Sequence, residues 1–178
     1  AENCMLRGAH VTLVNASVSV EPPMFVDVVN VTSAADMADV VKSKAAEQDI
    51  IIMTAAVADF CPSHPADEKI KKNDSSYESV IELERTEDIL SYLGAHKAKG
   101  QLICGFSMET QNMLENSKAK LAKKNADMIV ANNLKVAGAG FGTDTNVVTL
   151  ITADDCTELE IMDKSCVAAR IMDRLLQM

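Results

Sequence analysis

The sequence predicts an α/β fold, a mainly parallel sheet with helices on both faces and an antiparallel strand pair near the C-terminus. Three observations carry this reading. From His10 to Asn132 short apolar runs alternate with segments of helical period, the pattern of a parallel sheet covered on both sides. The rhythm then changes to two closely spaced strand-like runs. A length of 178 residues, 48% apolar and 24% charged, fits one globular domain with a sizeable core.

The elements follow in order. Ala1 to Leu6 read as the tail of a helix with Gly8 as its C-cap, and His10 to Val14 as a short buried strand. Phe25 to Thr32 is strand-like. Ser33 then caps a helix from Ala34 to about Glu47 in which Met37, Val40 and Val41 share a face. Asp49 to Val57 is the next strand; its apolar run is about half the ~20 residues needed to cross a bilayer, so no membrane span is expected. The polar stretch from Asp59 to about Ser79 is long for a connection inside a compact domain, and such loops are usually functional or mobile.

Beyond it the sequence predicts a strand near Ser79 to Leu83, a helix from Glu87 to about Lys97 capped by Thr86, and a buried strand Gln101 to Ser107. A helix Glu109 to Lys124 and a strand Asp127 to Asn132 complete the alternation, which is Rossmann-like. Val147 to Thr152 and Glu158 to Met162, joined by a polar turn, read as the antiparallel pair, and Lys164 to Gln177 as a closing helix.

Charge and composition exclude several function classes. With 17 basic and 26 acidic residues the net charge is −9, so the overall field repels polyanions and no nucleic acid partner is expected. Aromatics make up 3% of the chain and Trp is absent, which leaves few platforms for stacking bases. The five cysteines contain no C-x-x-C pair, so neither a disulfide framework nor a zinc site is suggested, and a reducing cytoplasm is the expected location. The start AENCMLRGAHVTLV has no initiator Met and no features of a signal peptide; it reads as a cut end that opens in mid-helix.

In open α/β sheets ligands bind beyond the carboxyl ends of the strands. Three stretches lie there. Thr54-Ala55-Ala56-Val57-Ala58-Asp59-Phe60 offers small residues for close backbone approach and Asp59 as an acceptor or metal ligand; equally, it is a strand packed under a helix with a surface Asp. Glu68-Lys69-Ile70-Lys71-Lys72 puts three lysines on the long loop, either a solvated charge run or cations suited to closing over a triphosphate. In the helix end after Lys118, Lys120, Lys123 and Lys124 lie on one side, beside a buried stripe of Leu114, Ser117 and Leu121. Lysines in a last turn complement the helix dipole, but a like-charged pair at i, i+4 repels, and an anion between them removes that cost.

Other candidates fail. Gly138 to Gly142 resembles a phosphate loop but leads into a strand where the dinucleotide fingerprint needs a helix, so a flexible turn is expected. Tyr77 and Tyr92 lack a Lys four residues on, the three histidines have no ligand spacing, and no P-loop or nucleophile elbow occurs.

Together, RGAHVTLV (7–14), TAAVADF (54–60), EKIKK (68–72), TEDIL (86–90), GFSMET (105–110), KAKLAKKNADMIVAN (118–132) and GFGTDTNVVTL (140–150) resemble the synthetase half of the bacterial bifunctional pantothenate-metabolism flavoproteins, phosphopantothenate-cysteine ligase. The resemblance covers nearly the whole chain. It implies a ligase of coenzyme A biosynthesis. The 4'-phosphopantothenate carboxylate attacks the α-phosphate of CTP to give an acyl cytidylate and pyrophosphate, and the amine of L-cysteine then displaces CMP.

By motif, the resemblance implies that Ala56 and Asp59 line the nucleotide site, that Lys69 contacts the triphosphate as the catalytic lysine, and that Phe106 borders the nucleotide. Lys120 and Lys124 hold it from the helix, and Thr86, Glu87, Asp88 and Ile89 supply backbone contacts. Mg2+ is expected with CTP, since the phosphates must be neutralised as pyrophosphate leaves, and the resemblance implies a homodimer. Such chemistry needs positioning and charge stabilisation more than a nucleophilic side chain.

One departure bears on activity. The family's opening strand, Gly-rich turn and Asn-bearing segment are not found ahead of Ala1, and nor is the FMN-dependent decarboxylase half fused upstream in many relatives. The expectation is therefore an N-terminally truncated CTP-binding domain over residues 1–178 that binds CTP, is impaired in full turnover and carries no FMN. A catalytically silent nucleotide-binding module and a plain interaction domain are the competing readings.

Overall fold

The computed structural model describes every residue except Ser17, Ser19, Asp67, 70–79, 110, 111 and 134–141. Helix α1 (Glu2–Leu6) ends at Arg7, and Gly8 turns the chain out of it at φ +85°, the left-handed conformation that glycine adopts without a Cβ penalty. Strands β1 (Thr12–Asn15) and β2 (Asp27–Asn30) pair in parallel. Ser33 caps α2 (Ala34–Ala45) as expected, and Asp36 adds the return bond to the Ser33 N–H that completes a capping box.

Strand β3 (Ile50–Met53) is shorter than the predicted run to Val57. Its register against β6 (Leu102–Glu109) closes at Met53 opposite Gly105, and Thr54 to Ala58 continue beyond the sheet. Of the expected strand near Ser79 to Leu83, Ser79 lies outside the described residues. The strand actually formed is β5 (Leu83–Arg85), which pairs antiparallel with β4 (Phe60–Pro62) at the base of the long connection. Val80 and Ile81 are exposed.

Helix α3 (Ile89–Ala95) begins later than predicted, and its cap is Asp88 in place of Thr86: the Asp88 carboxylate accepts the Ser91 N–H at 2.9 Å, while the Thr86 hydroxyl donates to the Ala58 carbonyl. Helix α4 (Met113–Lys123) leads to β7 (Met128–Asn133), which continues the sheet in parallel with β6. The predicted α4 stripe is corrected at two positions. Ser117 and Leu121 are buried, but Leu114 is 45% exposed; Lys120 and Lys124 flank the buried face, and Lys123 is turned out to solvent.

Strands β8 (Thr145–Asn146), β9 (Val148–Ile151), β10 (Cys156–Glu158) and β11 (Met162–Asp163) precede α5 (Lys164–Leu175). The antiparallel pair near the C-terminus is β9 with β10, so its second strand starts earlier than the predicted Glu158 to Met162 run. The Thr152 to Asp155 turn, closed by hydrogen bonds in both directions, returns the chain at once, and Met162 pairs with Asn146 of β8 instead.

The sheet order β10-β9-β7-β6-β3 has a parallel centre extended by two antiparallel strands. One face packs Cys104, Val130, Val148 and Leu150 against Val167, Ile171 and Leu175 of α5, with Cys4 of α1 against the same cluster. The other packs Ile103 against Met37, Val41, Ile89 and Leu93 of α2 and α3. Fully shielded Ile103, Ile129, Val130 and Leu175 each contribute roughly 1.5–3 kcal/mol by burial. Buried polar groups are paired: Ser107 and Ser117 share a hydrogen bond of 2.8 Å, and the Gln101 amide donates to the Ala45 and Gln48 carbonyls at the end of α2.

Candidate functional site

A cleft of about 790 Å³, counting its open mouth, lies beyond the carboxyl end of β3 and beside Phe106 of β6. It is built from three segments far apart in sequence. The first follows β3 and contributes Ala55 and Val57 to Asp59. The second is the turn Thr86 to Ile89 with the start of α3. The third is the flank of α4, with Lys120 and Lys124, facing Phe106 of β6.

Local hydrogen bonds fix these segments against one another. The Thr86 N–H donates to the Asp59 carbonyl at 3.0 Å, beside the hydroxyl bond to Ala58, so the two loops form one wall. The Lys120 ammonium donates to the Phe106 carbonyl at 2.9 Å, tying α4 to the strand. Lys124 donates to Asp88 and, at 2.9 Å, to the Ser91 hydroxyl, tying α4 to α3. Both lysines are thus aimed at the cleft by groups whose positions the sheet and helices determine.

Close backbone approach makes this arrangement possible. A Cβ on Gly94 would come within 1.7 Å of the Lys124 carbonyl oxygen, so only glycine lets α3 lie against the end of α4. A Cβ on Gly105 would meet Leu90 at 2.7 Å, and glycine there lets α3 settle on β6.

Electrostatics follow the same contacts. Desolvation pushes the Asp88 carboxyl up, but the hydrogen bond from Lys124, the Ser91 N–H and the charge of Lys124 outweigh it and hold the group below its ordinary value. Glu87 accepts a 2.6 Å bond from Lys42 of α2, and that bond holds the Lys42 ammonium above its ordinary value. Lys42 also lies 5.4 Å from the centre of the Tyr92 ring.

Of the residues singled out from the sequence, the cleft brings together Asp59, Thr86, Glu87, Asp88, Ile89, Phe106, Lys120 and Lys124. Ala56 does not line it; its neighbours Ala55 and Val57 do. Lys69 is exposed beyond β4 and is not a lining residue, and Lys71, Lys72 and Gly138 to Phe141 lie outside the described residues.

Sequence reasoning missed Ser91 and Lys42. Ser91 had a usable signal, its place three residues after an Asp cap. Lys42 had none, since it meets Glu87 from 45 residues away. Among the described residues no helix is long and apolar enough to cross a membrane, and no three His, Cys, Asp or Glu side chains cluster to hold a metal.

Comparison with known proteins adds the following. The family described as the DNA/pantothenate metabolism flavoprotein C-terminal domain matches residues 1–178. The coenzyme A biosynthesis bifunctional protein CoaBC of Bacillus subtilis is 45% identical over 177 residues, spanning 98% of this chain and 43% of that protein. A protein named cysteine/cysteine sulfinic acid decarboxylase, from an unknown prokaryotic organism, is 43% identical over 178 residues, 99% of this chain and 49% of its own. The chain therefore spans less than half the length of these relatives. A crystal structure of the C-terminal domain of a CoaBC protein superposes with a TM-score of 0.80 at 40% identity, covering 98% of this chain and 78% of that one.

Proposed function

This chain belongs to the DNA/pantothenate metabolism flavoprotein C-terminal domain family, and we propose from that premise that it forms the nucleotide-activating part of a phosphopantothenate-cysteine ligase of coenzyme A biosynthesis. The observation that carries the reading is the convergence of Lys120 and Lys124 with the 86–89 turn and Asp59 on one cleft, in a protein of net charge −9.

In this reading CTP occupies the cleft with its phosphates toward the two lysines. The 4'-phosphopantothenate carboxylate attacks the α-phosphorus, the bond to the β-phosphate oxygen breaks, and pyrophosphate leaves. The amine of cysteine then attacks the acyl carbon, CMP departs, and the amine loses its proton as the amide forms. The chain's part is positioning and charge stabilisation. Lys120 is oriented by the Phe106 carbonyl. Lys124 is held by Asp88 and Ser91, so neither ammonium needs to be reorganised when a phosphate arrives.

Asp59 on the cleft wall is the carboxylate that would hold a Mg2+ accompanying the nucleotide, and such an ion would supply neutralisation of phosphate charge as pyrophosphate leaves.

A second reading, a nucleotide-binding module without turnover, is favoured by the position of Lys69. The lysine assigned to the triphosphate by resemblance stands outside the cleft. One experiment separates the two. Calorimetry with CTP, ATP and UTP tests binding, and pyrophosphate release from CTP with 4'-phosphopantothenate tests activation. Binding without release favours the silent module, and absence of binding to all three nucleotides removes both readings.

A further inference from the structure

Among the described residues three carboxylates line the cleft, those of Asp59, Glu87 and Asp88. A carboxylate opposes a bound phosphate, so each must be neutralised or turned away if the cleft is to hold an anion. Asp88 is neutralised by Lys124, and Asp59 would meet the cation that accompanies a nucleotide. Glu87 is left, and its partner comes from outside the cleft. Lys42 of α2 donates to Glu87 Oε2 at 2.6 Å, with its ammonium 3.7 Å from Asp39 Oδ1 and 5.4 Å from the centre of the Tyr92 ring. Tyr92 in turn stacks on His96, ring centres 4.1 Å apart. Lys42 itself is not a lining residue.

Two ordinary explanations of this pair fall short. A lysine in the last turn of a helix complements the helix dipole, and Lys42 is in the last turn of α2. Helix side chains lean toward the N-terminus, however. The Lys42 ammonium is carried back to the residue that precedes the α3 cap, away from the α2 carbonyls it would serve. The other explanation is a staple between α2 and α3. That contact already has Met37, Val41, Ile89 and Leu93 in its core, and an ion pair whose side chains are 25% and 44% exposed adds little to it. The distinctive property of the pair is its placement, with one charge on the cleft wall and the compensating charge behind it.

We propose that Lys42 is a positioning residue of the cleft, which holds the Glu87 carboxylate toward α2 and cancels its charge, so that a ligand with several phosphates meets Lys120 and Lys124 without an opposing charge on the 86–89 turn. The inference rests on nucleotide binding, which both readings of the function share. Lys42 acts through Glu87 and touches no ligand. Its effect must therefore grow with the charge of the ligand and vanish when the charge of Glu87 is removed.

Four forms of the 178-residue chain test this by calorimetry with CTP and CMP at low and at moderate salt: wild type, Lys42→Met, Lys42→Arg and the double variant Lys42→Met/Glu87→Gln. Met keeps an apolar stem of similar length and removes the ammonium. Lys42→Met is expected to weaken CTP binding by about threefold to tenfold at low salt and CMP binding by less, with both losses shrinking as salt screens the charge. Lys42→Arg keeps the charge and the double variant removes the carboxylate, so both bind CTP within about twofold of wild type. The urea midpoint of Lys42→Met stays close to that of wild type.

Unchanged CTP binding by Lys42→Met overturns the inference. So does an equal loss for CTP and CMP, a loss that Glu87→Gln does not relieve, or a loss that tracks a lowered urea midpoint. In each of these cases wild type still binds CTP and the proposed function stands. A wild type that binds no nucleotide removes the proposed function, and this inference with it.

Discussion

The ammonium of Lys124 rests on the carboxylate of Asp88, a partner 36 residues earlier in the chain. One carboxylate thus serves two elements, capping α3 through Ser91 and anchoring the end of α4 through Lys124. A lysine so held meets an incoming phosphate already oriented. Replacing it, Lys124→Ala, is expected to weaken CTP binding by about 10- to 100-fold, the value of a charge-assisted hydrogen bond lost from a bound phosphate. Calorimetry measures this directly. An unchanged dissociation constant would exclude Lys124 from the nucleotide site.

Acid should reveal the same pair in the folding equilibrium. The Asp88 carboxyl is held below its ordinary value in the folded chain, so its contribution to stability is fully present above the unfolded value and is lost as pH falls through the folded one. Asp36 and Asp155 are also lowered and weaken every form of the protein in acid, so the comparison must be between variants. Asp88→Asn keeps an oxygen for the cap and removes the charge. In urea unfolding, the stability gap between wild type and Asp88→Asn should be constant from about pH 7 to about pH 5 and shrink below about pH 4. A gap that widens in acid would contradict the assignment.

Gly94 tests how the pair is brought together. On an exposed helix, Gly→Ala would gain about 1 kcal/mol of helix propensity. Here the added Cβ meets the Lys124 carbonyl at 1.7 Å, and because that obstacle is backbone the sign reverses. Gly94→Ala is expected to cost roughly 1–3 kcal/mol, read as a lower denaturation midpoint, and to weaken CTP binding as the end of α4 moves. Greater stability in this variant would show the contact to be looser than drawn.

Much of this architecture was legible because it rests on local patterns. The Ser33 cap, the run DMIVAN and the placing of Lys120 and Lys124 on one flank of α4 follow from spacing alone, and with the family resemblance they located most of the cleft. What sequence could not give are outcomes of competition between distant groups. Thr86 and Asp88 are both good caps, and Asp88 takes the role because the Thr86 hydroxyl is engaged by Ala58. Met162 was assigned to the wrong strand partner because Asn146 offers it an edge that only the folded chain creates. Lys42 was invisible because its meaning lies in Glu87.

Burial also sets the chemistry of the cysteines. Desolvation, helped by the charge of Asp127, pushes the Cys104 thiol up to about 12, so it remains protonated and shielded. Cys166 is exposed. Iodoacetamide at about pH 8 should label Cys166 in the folded protein and reach Cys104 only on unfolding, as read by mass spectrometry. Early labelling of Cys104 would mean that the sheet centre opens locally.

Lys69 provides the sharpest test of the nucleotide reading, because family resemblance and geometry pull apart there. The resemblance assigns it to the triphosphate, while the structure leaves it exposed outside the cleft. Both hold if Lys69 reaches the cleft only when phosphates are bound there, so the effect of the lysine must depend on how many phosphates the ligand carries. Lys69→Ala is expected to raise the dissociation constant for CTP several-fold and to leave that for CMP, which lacks the β- and γ-phosphates, unchanged. Equal effects on CTP and CMP would place Lys69 away from the triphosphate. No effect on either would leave Lys120 and Lys124 as the cations that hold the nucleotide, and would favour the module without turnover.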